Sequence, residues 1–322
     1  MTSDLPRAGL SAPASRASAL SRSEGTPVLE VLEVSKRYGD TVALDRLSME
    51  VAPGQIFGFV GPNGAGKTTA MRIITGLLEA DSGEVRWAGR TAGTGRRSHI
   101  GYMPEERGLY PKMRVDHQLE YFAELHGLDP VSARKQTAAW LERLGVADRA
   151  LDNVEDLSLG NQQRIQLAAS LVFEPELLIL DEPFSGLDPI GVDALSGVLA
   201  EVSRERDVPV LFSSHQLDLV EQICDAVAII KDGRLVASGS VKELEEERSR
   251  NQWLLRVEGV DSGWDPALDG ARRVGPWLFE LEERTDPQEL LTRGRAAGDV
   301  LEFGRQRPRL TELFRDTIGE ER

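Results

Sequence analysis

The sequence of 322 residues predicts an α/β fold whose functional site lies at the carboxyl ends of parallel strands. Two apolar runs lead to this prediction. The run from Gln55 to Val60 precedes a glycine-rich turn and a helical pattern, and the run from Leu177 to Leu180 ends on the carboxylate of Asp181. Such continuous runs are typical of parallel strands that are covered on both faces. Helical patterns alternate with the strands, as such a sheet requires.

The glycine-rich turn is the most specific stretch of the chain. It consists of Gly61, Pro62, Asn63, Gly64, Ala65, Gly66, Lys67, Thr68 and Thr69. Glycines let the backbone wrap around an anion, and the helix that follows adds its positive N-terminal end. We expect Lys67 to reach the β- and γ-phosphates and the Thr68 hydroxyl to ligate Mg²⁺. A turn with a chance lysine would not explain the flanking strand and helix, so the sequence predicts a nucleoside triphosphate site.

Composition excludes several classes of protein. The net charge of −15 argues against a general nucleic-acid binder, because phosphate backbones attract basic surfaces, and solubility explains the acidity. The single cysteine, Cys224, excludes an intrachain disulfide and favours a reducing, cytosolic setting. No stretch approaches the ~18 apolar residues of a membrane span. A membrane process would therefore need another chain for the spanning part.

We expect three parts along the chain. Residues 1–26 lack the apolar core of a secretory signal, and a disordered extension or a start codon assigned too far upstream fits them better than a transit peptide. Residues 27–247 form the α/β domain, with a helical subdomain at about 112–172. Residues 248–322 form a small α+β domain without a catalytic constellation. Its expected strands are Trp253–Val257, Trp277–Leu281 and Val300–Phe303, and its expected helices are Pro287–Arg295 and Leu310–Ile318.

Shorter features of the α/β domain are expected to complete the site. Tyr38 lies between the strands Leu29–Val34 and Val42–Val51, where it is either a purine-stacking ring or a packing aromatic. Asp181 is placed to hold Mg²⁺, and Glu182 to polarise the attacking water as a general base.

Two further segments raise the specificity of the prediction. Ser158 and Gly160 immediately precede a helical pattern, so they can form a second cradle for the γ-phosphate at a helix N-terminus. His215 follows the last expected sheet strand and can sense the γ-phosphate from there.

In this order the motifs resemble the ATP-binding-cassette (ABC) ATPase family, over roughly Val28 to Glu247. The resemblance implies the P-loop NTPase nucleotide-binding fold, with a RecA-like core and antiparallel-β and α-helical subdomains. It implies that Tyr38 stacks on the adenine ring. It also implies that Gly61 to Thr69 form the Walker A loop and that Leu177 to Glu182 form the Walker B motif. It further implies a signature at Leu157 to Gln163, a D-loop that ends at Asp188, and His215 as the switch histidine. In this family two subunits sandwich two ATP molecules head to tail, so a second subunit, identical or paralogous, is expected.

The chain departs from the family pattern at two places. The signature carries Leu159 and Asn161 where glycine and glutamine are usual, but it keeps Ser158 and Gly160. Glu105 replaces the usual Q-loop glutamine, and its carboxylate can still ligate Mg²⁺. The run from Pro104 to Tyr110, the signature variant from Gly160 to Gln163 and the C-terminal appendage together resemble one branch of the family. That branch contains the ATPase subunits of ABC-2-type exporters, including those similar to sodium-efflux and drug-export systems.

These observations predict an ATP-hydrolysing subunit of an exporter, with ATP and Mg²⁺ as cofactors. The expected partner is a membrane-spanning permease, and the expected location is the cytoplasmic face of the cell membrane. The helical region from Val115 to Leu144 is expected to grip the permease. A soluble ABC ATPase acting on ribosomes or DNA is the alternative, but such members usually carry two cassettes or long coiled coils. A regulator with little turnover is a third possibility, against which Glu182 and His215 argue.

Overall fold

The structure is a computed structural model, and it describes residues 28–91, 98–106, 108–247, 251–282 and 284–306. The expected extension at 1–26 and the expected helix Leu310–Ile318 lie outside these ranges. None of the helices that the described ranges contain is long and apolar enough to cross a membrane.

The described chain alternates strands and helices. The strands are β1 (Leu29–Tyr38), β2 (Thr41–Val51), β3 (Ile56–Val60), β4 (Ser82–Trp87), β5 (Arg90–Thr91), β6 (Ile100–Met103), β7 (Leu177–Leu180), β8 (Val210–Ser214), β9 (Ala226–Lys231), β10 (Arg234–Ser240), β11 (Gln252–Val257), β12 (Ala271–Gly275), β13 (Leu278–Leu281) and β14 (Val300–Arg305). The helices are α1 (Lys67–Ile74), α2 (Val115–Leu125), α3 (Pro130–Arg143), α4 (Leu159–Leu171), α5 (Pro189–Arg206), α6 (Leu217–Ile223), α7 (Val241–Glu247) and α8 (Pro287–Ala297).

The central sheet has six strands in the order β10-β9-β3-β8-β7-β6. Its neighbours are parallel except for β9 and β10, which form the hairpin that Asp232-Gly233 predicts. All residues of β3, β7 and β8 are buried. The expected α/β core with strands covered on both faces is therefore confirmed.

Strand β3 separates two apolar cores. Its residues Ile56 and Val60 belong to a cluster that includes the apolar side of α2–α5. Phe57 and Phe59, on the opposite face, belong to a cluster with α1 and the antiparallel sheet of order β2-β1-β4-β5. Because successive strand residues point to opposite faces, this one strand fixes the glycine-rich turn at the junction of both cores.

Some elements differ from the sequence prediction. Strand β1 continues to Tyr38, because Lys36, Arg37 and Tyr38 still pair with β2 across register shifts, and the turn is only Gly39-Asp40. Strand β8, the expected strand before His215, runs from Val210 to Ser214 and so ends directly before the histidine. Helix α4 begins at Leu159, so Gly160, which was expected to precede the helix, lies in its first turn.

A third sheet, in the order β12-β13-β11-β14, is antiparallel and is packed on one side by α8. Leu255, Phe279 and Leu290 are buried in its own apolar core. Strand β12 was not expected, because its sequence Ala-Arg-Arg-Val-Gly lacks apolar alternation.

The single cysteine lies just after α6. Cys224 is buried, and burial raises the pKa of its thiol far above the ordinary value. A carbon atom added at Gly58 on β3 would lie 2.8 Å from its sulfur. The buried thiol is thus packed directly against the strand that leads to the glycine-rich turn.

Candidate functional site

The glycine-rich turn joins β3 to α1 and depends on glycine at specific positions. Gly64 and Gly66 have φ angles of 84° and 105°, a region that disfavours side chains. A Cβ added to Gly61 would lie 2.4 Å from the carbonyl oxygen of Ile230. A Cβ added to Gly66 would lie 2.4 Å from the carbonyl oxygen of Ala43. Gly66 is the N-cap of α1 and provides no side-chain cap. The first turn of α1 therefore keeps N–H groups that suit an anion.

Lys67 begins α1 and is buried at the centre of the turn. Its Nζ donates to the carbonyl oxygens of Gly61 and Pro62, at 2.7 and 3.3 Å, and lies 3.8 Å from Oε1 of Glu182. Burial lowers the pKa of the Lys67 ammonium, whereas the charges of the nearby carboxylates, those of Glu182, Asp181 and Glu105, raise it. The turn thus holds a desolvated cation beside three acidic groups.

The acidic pair at the end of β7 is held by the neighbouring strand β8. The hydroxyl of Ser213 donates to Oδ1 of Asp181 at 2.6 Å and accepts the backbone N–H of Glu182 at 2.8 Å. Glu182 has a φ of 51°, an uncommon left-handed conformation that such contacts stabilise. One serine therefore holds both the Asp181 carboxylate and the backbone of Glu182.

His215 and Lys67 lie on the two oxygens of Glu182. The Nδ1 atom of His215 is 3.0 Å from Oε2, while Lys67 is on the side of Oε1. The structure thus brings Lys67, Asp181, Glu182 and His215 together, as the sequence predicts.

The chemistry of the acidic pair suits a divalent cation. Asp181 is 1 % exposed, and its Oδ2 atom is buried without a hydrogen-bond partner. A buried carboxylate oxygen left unpaired is costly, and a hydrated cation would satisfy it. In the described ranges no three carboxylate, histidine or cysteine groups are placed to form a metal site alone. A cation here would need the Thr68 hydroxyl and phosphate oxygens as further ligands.

Ser158 and Gly160 lie at the start of α4. Ser158 is the N-cap, and its hydroxyl accepts the N–H of Asn161 at 3.4 Å. Both residues stand apart from the cluster around Lys67: among the described residues, no hydrogen bond or ion pair joins either of them to the turn or to Glu182.

The remaining predicted residues are placed around the cluster. Tyr38 ends β1, and its ring is 51 % exposed with the Lys36 ammonium 6.0 Å from its centre. Asp188 caps α5 by accepting the N–H of Gly191 at 2.7 Å. Glu105 is exposed in the loop after β6.

Sequence reasoning assigned no role to Ser213 or Gln166, and it included Gln163 only as the last residue of the signature segment. Gln163 and Gln166 are buried on α4 and donate to the loops after β7 and β6, respectively. The available signal was two amides three residues apart at apolar positions of a helical pattern.

Comparison with known proteins identifies the family. A family model described as ABC transporter matches residues 44–185. The uncharacterized ABC transporter ATP-binding protein YhaQ of Bacillus subtilis is 37% identical over 302 residues, which cover 91% of this chain and 99% of that protein. The chain belongs to the ABC transporter ATP-binding protein family. Its predicted ATPase activity and fold are thereby confirmed.

Other relatives of this ABC ATPase agree with the assignment. The linearmycin resistance ATP-binding protein LnrL of Bacillus subtilis is 32% identical and is matched over 80% of this chain and 85% of its own length. The structure of cbiO1 from Clostridium perfringens, part of the ABC transporter complex cbiONQ, is 30% identical with a TM-score of 0.62, over 69% of this chain and 92% of that one. None of these relatives supports the ribosome or nucleic-acid alternative.

Proposed function

We propose that this ABC ATPase drives an exporter through a separate membrane-spanning partner. The observation that carries the catalytic part of the proposal is the cluster in which Glu182 lies between Lys67 and His215. In this proposal Lys67 binds the β- and γ-phosphates, and the glycine turn from Gly61 to Thr69 donates backbone N–H groups to them. Tyr38, exposed at the end of β1, stacks on the adenine ring.

Glu182 is the proposed general base. Its carboxylate accepts a proton from the water that attacks the γ-phosphorus, and ADP leaves as the bond between the γ-phosphorus and the bridging β-phosphate oxygen breaks. His215 orients Glu182 and senses the γ-phosphate. Mg²⁺, held by Thr68 and Asp181 with Glu105 nearby, would neutralise the charge that develops on the phosphate oxygens.

We infer that Ser158 and Gly160 serve a second subunit. Since they stand apart from the cluster of their own chain, their donors suit the γ-phosphate bound by a partner ATPase, and Asp188 would lie at the same interface. ATP would then close a head-to-tail dimer of this chain with itself or a paralogue, and hydrolysis would reopen it.

The surface for the permease is proposed to lie beside α2. A groove of about 270 Å³ is lined by Leu77, Leu109, Phe122 and Phe173 among others. At the edge of the groove, the exposed residues Tyr110 and Tyr121 pack against Phe122. Their ring centres lie 6.2 and 5.8 Å, respectively, from that of Phe122. An apolar groove with an aromatic rim suits a helix of a partner protein. We propose a cytoplasmic helix of the permease as its occupant, which would place the ATPase on the inner face of the cell membrane.

The division of the chain remains part of the proposal. We assign residues 27–247 to the ATPase domain, with its helical subdomain at about 112–172, and 248–322 to an accessory domain. The separate apolar core of the third sheet supports this division.

A pull-down tests the exporter proposal. Tagged Glu182→Gln protein, incubated with ATP and detergent-solubilised native membranes, should recover a multi-span membrane protein. The double variant with Phe122→Asp, which places a charge in the groove, should lose that protein but still bind ATP. Recovery of ribosomes or only soluble partners would leave the ATPase assignment intact and contradict the transport role.

A further inference from the structure

Helix α4 holds the two loops that carry the site's acidic residues. Gln163 and Gln166, three residues apart, are 8 % and 4 % exposed and share a face of the helix. Nε2 of Gln163 donates to the carbonyl oxygens of Pro183 and Glu182, at 2.8 and 3.5 Å. Ser158 is the N-cap of the same helix. The helix therefore connects the predicted partner-facing residues to the loops of its own site.

The second glutamine, Gln166, contacts the residues before and after Glu105. Nε2 of Gln166 donates to the carbonyl oxygen of Pro104 at 2.7 Å and to that of Glu106 at 3.4 Å. Both partners are acceptors, so the NH₂ group of the amide must face them. Because one side chain holds the carbonyl groups of the residues before and after Glu105, it limits where the Glu105 carboxylate can reach.

The other half of the Gln166 amide is unpaired. Its Oε1 atom is buried without a hydrogen-bond partner. Leaving a buried acceptor unpaired costs stability, and an apolar side chain of similar length would avoid that cost. The carbonyl of Glu106, in contrast, belongs to an exposed residue that water can reach. Packing alone therefore does not favour glutamine at this position, whereas its two donated hydrogen bonds do.

We propose that Gln166 is a positioning residue that holds Glu105 at the nucleotide site and ties it to the signature helix α4. The inference rests on the proposed role of Glu105 beside Mg²⁺. Glu105 lies close enough for its charge to act on Lys67. A partner ATP that engages Ser158 and moves α4 would then carry the Glu105 loop with it.

The test combines Gln166→Met with Glu105→Gln in a double-mutant cycle. Met keeps the length and removes the donors. We expect Gln166→Met to raise the Mg²⁺ concentration for half-maximal ATPase activity about tenfold, as the loss of a ligand-orienting contact does. In the Glu105→Gln background, Gln166→Met should raise this Mg²⁺ concentration by less than about twofold, because the two residues act as one unit. The melting temperature should change little, because Met removes the unpaired Oε1 together with the two donated hydrogen bonds.

Hydrogen exchange without nucleotide gives a readout that is independent of turnover. Gln166→Met should speed amide exchange in the peptide that carries Glu105. The matched control, Gln163→Met, should instead speed exchange in the loop that follows β7, which Gln163 contacts. Unchanged exchange at Glu105, or effects that simply add in the cycle, would overturn the inference but leave the ATPase proposal standing. If Glu105→Gln alone left the Mg²⁺ dependence unchanged, the role of Glu105 would fail, and the inference with it.

Discussion

Nδ1 of His215 lies 3.0 Å from Oε2 of Glu182, although the two residues are 33 positions apart in the chain. Strands β7 and β8 are parallel neighbours, so their carboxyl ends present both side chains at one edge of the sheet. The contact leaves Oε1 on the side of Lys67. Glu182 is thus oriented from two sides, which is how a general base is kept at a fixed angle to its water.

Glu182→Gln should bind ATP and hardly hydrolyse it. The amide cannot accept the proton, so the turnover rate should fall about 100-fold or more. Since ATP persists, the variant should accumulate as a dimer in light scattering, and the dimer should disappear without ATP. A near-normal rate would assign the base to another residue.

His215→Ala should lower the turnover rate with little change in ATP affinity, because Lys67 and the glycine turn supply most of the contacts proposed for the phosphates. The turnover rate should fall about tenfold, because His215 orients the general base and is not the base itself. In the Glu182→Gln background the substitution should have almost no further effect on the rate. Steady-state kinetics of the four proteins checks this, and independent effects would show that the histidine acts elsewhere.

Tyr38→Ala should weaken ATP binding by about 1–3 kcal/mol, the range for stacking of a base on an aromatic ring. Tyr38→Trp should restore the affinity. Because the ring is 51 % exposed, neither change should shift the melting temperature. Equal affinities of all three proteins in titration calorimetry would show that Tyr38 is only a packing residue.

Gly66→Ala should destabilise the fold more than Gly64→Ala. Both glycines have positive φ, which costs about 1–2 kcal/mol for alanine. Only at position 66 does the new Cβ also meet a carbonyl oxygen, that of Ala43 at 2.4 Å, whereas Gly64 has no atom within 4 Å of an added Cβ. Urea unfolding compares the two variants, and equal losses would contradict the close approach.

The buried Lys67 predicts a pH dependence of stability. Its folded pKa is below the ordinary value of 10.5, so near that pH the unfolded chain binds more protons than the folded one. Stability contributed by this group therefore rises as the pH approaches 10.5 from below. The free energy of unfolding should increase over this range relative to Lys67→Met, measured by urea titration. A constant difference between the two proteins would show that Lys67 titrates normally.

Local patterns made the phosphate turn and the acidic pair predictable, because a strand, a turn and a helix that are contiguous in sequence stay contiguous in space. The contacts that hold them were not predictable in the same way. Ser213 reaches Asp181 only because β7 and β8 pair in one register, and Gln166 reaches Pro104 across 62 residues. Strand β12 is an edge strand rich in arginine, and its Arg272 side chain donates to Glu280 on the neighbouring strand. Its sequence has no apolar alternation from which the strand could be predicted.

The burial of Cys224 has a practical consequence for spectroscopy. Thiol reagents attack the thiolate, and this group is both shielded and held in its neutral form. A second cysteine introduced on an exposed position, such as Leu125 on α2, would therefore react with a maleimide dye while the native one stays unlabelled. Single-molecule distance measurements between two labelled copies would follow opening and closing of the proposed dimer in otherwise native protein.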